Sequence, residues 1–146
     1  MRLTAVLISI GLLAGQSSWA AEAEPKTCVD LTKTGSQATL TGVLRVQLFA
    51  GPPNYESIAQ GDAEERAFIL ELPERLCASG GEFISATLPV DRVHVSTTDR
   101  AILGVLNATV GKTVTVRGEA FGAHTGHHHA PLVLMASQVT VAGKDR

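Results

Sequence analysis

Between residues 38 and 49 hydrophobic and polar side chains alternate. Leu40, Leu44, Val46 and Leu48 fall on one face, and Thr39, Thr41, Arg45 and Gln47 on the other. A period of two is that of a half-buried strand. Gly42 interrupts it where a bulge or sharp bend is expected, and a long strand bent there can serve two sheets at once. The alternation returns over 66–72 through Phe68, Leu70 and Leu72. It returns again over 90–96, with Val93 and Val95 inward and Arg92 and His94 outward. The period then lengthens. Ile102, Leu103, Leu106 and Val110 stand at helical spacing, with Thr98 or Asp99 as the N-cap and Gly111 as the stop. Alternation resumes over 113–121 through Val114 and Val116, and 132–141 forms the last strand. Three strands, a helix and two strands predict an all-β domain with one helix. The architecture expected is a small five-stranded OB-like barrel of order β-β-β-α-β-β, spanning 38–142. A small β-sandwich is the alternative.

The first twenty residues have a different character. Arg2 supplies a short positive start, 3–15 is apolar, and Ser18-Trp19-Ala20 offers small residues at a cleavage site. This is the pattern of a signal peptide over 1–20, with cut after Ala20. The apolar run falls short of the ~20 residues a membrane-spanning helix needs, so no stable membrane insertion is expected after cleavage. Gln16 occupies the position a lipidated cysteine would take. The chain is therefore expected to be exported, periplasmic or secreted.

Composition narrows the partners. The net charge is −2, there is no Lys/Arg cluster, and the single Trp lies in the leader. A phosphate backbone attracts a basic stripe and stacked bases need aromatic platforms, so nucleic acid is disfavoured. Cys28 and Cys77, the only two cysteines, both follow the leader. In an oxidising compartment they are expected to form a disulfide, tethering the 21–37 segment to the barrel.

The chemistry concentrates in two loops. Residues 123–131 read A-H-T-G-H-H-H-A-P and hold four of the five histidines: His124, His127, His128 and His129. Residues 50–65 open with Gly51-Pro52-Pro53-Asn54 turn chemistry, carry the only tyrosine, Tyr55, beside Glu56, and close with Asp62, Glu64 and Glu65. In an OB barrel these are loops 1–2 and 4–5, which flank one face. A tight hairpin centred on Thr125-Gly126 sets His124 against His127, with His129 on the same side and His128 opposite. Three imidazoles beside a carboxylate suit zinc, copper or nickel, and a longer loop brings in His128 instead. Tyr55, Glu56, Asp62 and Glu65 are the candidates to bind or orient what the histidines hold. The competing role for the histidines is to lock the two loops together by hydrogen bonding. His94, alone on its strand, is expected to be exposed or structurally satisfied.

The blocks G-P-P-N-Y-E-S-I-x-x-G-D-x-x-E over 51–65 and H-T-G-H-H-H over 124–129 resemble the bacterial family known as domain of unknown function 4431. The resemblance runs from about Cys28 to Val141 and implies an exported bacterial domain, with no activity attached to the family. Ala130 stands where the family pattern has a threonine, which puts a hydroxyl role there in doubt.

No nucleophile elbow, phosphate loop or H-E-x-x-H is present. The expected function is a binding module whose loops 51–65 and 122–131 hold a metal ion or small ligand. An envelope module that binds or inhibits another protein is the alternative. A metal-dependent enzyme, with Glu65 or Asp62 assisting a histidine or metal-bound water, ranks below both.

Overall fold

The computed structural model describes residues 28–85 and 89–143, so the expected signal peptide and its cleavage site lie outside the described residues. Six strands and one helix follow in order: β1 Cys28–Asp30, β2 Gln37–Ala50, β3 Glu64–Ser79, β4 Val90–Ser96, α1 Arg100–Thr109, β5 Thr113–Gly122 and β6 Leu132–Val141. The sheet order is β1-β3-β2-β5-β6-β4, and β3 also pairs with β4. That last pairing closes β2–β6 into a five-stranded barrel. β4 and β6 run parallel while the other barrel pairs run antiparallel. This is the OB-like barrel expected, and closure into one sheet rules out the sandwich.

Strand β2 makes closure possible. Residues 37–43 pair with β5, and residues 43–50 pair with β3. Val43 faces a partner on each side, Glu71 and Thr113, and the handover falls beside Gly42. Inward positions of all the strands meet over Leu44, Leu70, Val93, Val95, Val114, Val116, Leu132 and Leu134, and Leu106 of α1 joins them. The predicted face of β2 holds at Leu40 and Leu44. It fails at Leu48, which is 56% exposed, because β2 has by then run past the barrel end toward the loop.

The helix begins where its cap allows. Asp99 is extended at φ −84°, and its Oδ1 accepts the backbone N–H groups of Ala101 and Ile102 at 2.7 and 3.3 Å. These are donors the first turn cannot satisfy itself. Asp99→Ala is expected to cost about 1 kcal/mol, read as a lowered thermal midpoint. At the far end Gly111 takes φ +83° and donates its N–H to the Leu44 carbonyl at 2.7 Å, tying the helix exit to the barrel.

Strand β1 is outside the barrel and was not foreseen. It pairs parallel to the far end of β3, with Cys28 opposite Cys77, and these two form the expected disulfide. The second strand of the barrel is correspondingly longer than the predicted 66–72, because its extension 73–79 serves as the platform for β1.

Candidate functional site

Loop 51–63 is built around one carboxylate. Asp62 is buried, and its two oxygens accept four donors: Asn54 N (2.9 Å) and Nδ2 (3.2 Å) on Oδ1, Glu56 N (2.8 Å) and Ser57 N (2.9 Å) on Oδ2. Backbone hydrogen bonds from Gly51 N to Ala63 O (2.7 Å) and from Ala63 N to Pro52 O (2.9 Å) close the base of the loop. The hydrogen bonds from Ser57, Asn54 and Glu56 hold the Asp62 carboxyl below its ordinary value. Asp62 therefore shapes the loop from within. Glu56 contributes its backbone N–H and is otherwise exposed.

That frame presents Tyr55 outward. Its backbone sits at φ +60°, a region a bulky residue occupies only when its surroundings hold it there. Gly126 of the histidine loop lies flat on the phenol ring: a Cβ there would stand 3.0 Å from the ring carbons. Tyr55 Oη lies 3.0 Å from His127 Nε2, and the two rings meet edge-on at 5.2 Å.

Glu65 is the meeting point of the two loops. Both of its oxygens lie 2.9 Å from His127 Nδ1, and Oε1 lies 3.3 Å from His129 Nε2. Burial resists the ionised form of Glu65, but the close contacts and charge of the two histidines outweigh it, and the carboxyl sits below its ordinary value. The two imidazoles differ. The His127 side chain is 59% exposed and well bonded. The His129 side chain is 7% exposed, stacked flat on Phe49 at 4.1 Å. Its Nε2, though near Oε1, is off the line a hydrogen bond requires, and it is buried with no partner.

The remaining histidines form a neighbouring group. His124 Nδ1–H donates to the Gly122 carbonyl at 3.0 Å, and its ring lies against Phe83 and Phe121. Its backbone N–H donates to His128 Nδ1 at 3.1 Å, and the two rings are 4.7 Å apart. His94, 9% exposed, accepts the backbone N–H of His129 on Nδ1 at 3.3 Å. Burial, then the charges of His129 and His128, push His94 down to about 4, although Glu65 pulls the other way, so His94 is neutral at pH 7. Burial, followed by its histidine neighbours, lowers His128 as well.

The loops thus converge as the barrel topology requires, but the hairpin geometry needs correction. Pairing of β5 with β6 ends at Gly122↔Leu132, and His128 N turns back to Thr125 O at 3.1 Å. The loop is long, not a two-residue turn, so His124 and His127 are not cross-strand partners. The structure groups His127 and His129 with Glu65 and Tyr55, and sets His124 with His128 and the phenylalanines. As these side chains stand, no three His, Cys, Asp or Glu among the described residues form a group that could hold a metal ion. Two contributors were missed: His94, read as solitary, and Phe49, read as the plain end of a strand. The signal for His94 was its inward neighbours Val93 and Val95, which place it beneath a β6 loop once β4 and β6 run parallel.

Residues 92–143 match the family model described as Domain of unknown function (DUF4431). This segment is similar to that family. No curated protein matches the chain. The DUF4431 segment carries β4, α1, β5, β6 and all five histidines, while Tyr55, Asp62 and Glu65 lie outside it. The histidine half of the site thus lies in the stretch similar to that family, and the loop 51–65 meets it from the other half of the barrel.

Proposed function

We propose that the chain is an exported binding module that holds a divalent transition-metal ion between its two loops, on Glu65, His127 and His129. The observation that carries this reading is the buried His129 Nε2, which has no hydrogen-bond partner and faces the Glu65 carboxylate at 3.3 Å. Buried polar atoms are rarely left unpaired, and an ion is one of the few things that satisfies such an atom here. Two imidazoles and a carboxylate, with no thiolate, suit zinc, copper(II) or nickel. The two imidazole nitrogens stand 2.9 and 3.3 Å from the Glu65 carboxylate, and the three side chains would have to rearrange to ligate an ion together.

With an ion on Nδ1 in place of the contact to Glu65, His127 would hold its single proton on Nε2 and would donate it to Tyr55 Oη, 3.0 Å away. Ligating histidines regularly have such an outer partner to fix their tautomer. Among the described residues no helix is long and apolar enough to cross a membrane, and the Cys28–Cys77 disulfide accords with an oxidising compartment outside the cytoplasm.

The test is the thermal midpoint of metal-free protein after addition of zinc, copper(II) or nickel. A ligand at a hundred times its Kd stabilises by about 2.7 kcal/mol, so a clear upward shift is expected with at least one of them. His127→Ala with His129→Ala should abolish it, and His124→Ala should leave it in place. Absence of a shift with all three ions overturns the reading.

A further inference from the structure

A second feature lies on the far flank of the histidine loop and owes nothing to the metal reading. A cavity of about 520 Å³ opens between the turn joining β1 to β2, the segment that follows β3, and the end of β5. That volume falls in the range of small-ligand sites. Its wall carries Phe83 and Phe121 with His124 between them, the ring centroids 5.0 and 5.5 Å from that of His124. Lys33, Glu82 and Glu119 line the same space.

The walls are fixed by packing, not left to chance. Strand β1, which the barrel does not need for closure, forms one side, held by the Cys28–Cys77 disulfide and by Leu31 N donating to Ser79 O at 2.8 Å. On the other side the backbone of Phe83 lies directly on β5. A Cβ at Gly122 would stand 2.9 Å from the Phe83 carbonyl carbon and 3.0 Å from Ile84 N. Only glycine admits that approach, and it sets Phe83, 55% exposed, in place at the cavity wall. An exposed aromatic ring on an anchored backbone is a preorganised contact surface.

We infer that this cavity is a binding site for a neutral pyranose saccharide. The lining decides the class. A cationic ligand meets Lys33, and an anionic one meets Glu82 and Glu119. A neutral polyhydroxylated ring uses all three, because hydroxyls donate to carboxylates and accept from an ammonium group. The same ring has an apolar C–H face to lay against Phe83, where burial of apolar area adds to the polar contacts. His124 fits this arrangement: its Nδ1–H is committed to the Gly122 carbonyl, so Nε2 is left as an acceptor for a hydroxyl. On this reading the extra strand and the disulfide serve the cavity.

The experiment is titration of the oxidised, isotope-labelled protein, followed by amide NMR, with three neutral disaccharides (maltose, cellobiose and N,N′-diacetylchitobiose) and two charged sugars, glucose 6-phosphate and glucosamine. Saturable shifts with at least one neutral disaccharide, centred on residues 80–83 and 121–124, are expected. Phe83→Ala should weaken binding at least about tenfold, the equivalent of about 1.4 kcal/mol, and Lys33→Ala should weaken it in the same direction. Both side chains project from surface segments, and the response to zinc should be unchanged in each variant. Three results overturn the inference: no shifts at these residues with any neutral disaccharide, tighter binding of either charged sugar, or unaltered binding by both variants. Shifts centred on 51–65 instead place the saccharide elsewhere and overturn it as well.

Discussion

Gly42→Ala is expected to destabilise the barrel by about 3 kcal/mol or more, and so to lower the thermal midpoint by roughly 10 °C or more. The added methyl would fall onto the carbonyl oxygen of Glu71, with Glu71 C at 3.0 Å and Leu70 Cγ at 3.1 Å. The obstacle is mostly backbone, which cannot rotate away as the end of a side chain can. Position 42 is also where β2 leaves β5 and takes up β3, so relief by shifting either strand disturbs the pairing that closes the barrel. Gly104→Ala provides the contrast. It lies within α1 and has nothing within 4 Å of the added carbon. There the same change removes backbone freedom from the unfolded chain and should stabilise by about 0.5–1 kcal/mol. Denaturant titration of both variants measures the difference. A loss below about 1 kcal/mol at Gly42 would show that the Glu71 carbonyl yields easily and that the strand switch is not a close contact.

The barrel was legible because its signals are local and redundant. Leu40, Leu44, Phe68, Leu70, Val93, Val95, Val114 and Val116 repeat with period two, and Leu106 marks the one stretch where the period changes. Asp99 and Gly111 then bracket the helix by cap chemistry alone. Convergence of the two loops followed from topology. Three things were not written locally. Strand β1 is three residues long, too short for a periodic signal, and exists through its pairing with the extension of β3. The histidine register depended on where β5 and β6 stop pairing, and a one-residue change there sends each imidazole to another side. The roles of the two loop acids could not be told apart by composition: Asp62 and Glu65 are three residues apart, yet one faces into its own loop and the other faces the histidines.

Asp62→Ala tests that division of labour, because it removes no atom that touches a histidine. The expected result is loss of the metal-induced rise in melting temperature, together with at least roughly tenfold faster hydrogen exchange at the amides of Asn54, Glu56 and Ser57. Those three N–H groups all end on this carboxylate, and no other acceptor in the loop replaces it. Freed of them, the loop no longer holds Tyr55 at φ +60° against Gly126, and the phenol leaves His127. Asp62→Asn should do nearly as much damage, since its amide group turns two donors toward N–H groups that need acceptors. Acid should reproduce the effect in the wild type, and its sign follows from the pKa. The folded-state value of Asp62 lies below that of the unfolded chain, about 3.9. Its contribution is therefore complete above that pH and is lost as the pH falls through the lower folded value. Protection of the three amides should stay level from neutrality to about pH 4, decline below it in the wild type, and be low throughout in Asp62→Ala. If the variant keeps both its amide protection and its metal response, the loop is held by its Gly51–Ala63 backbone closure and Asp62 is incidental to the site.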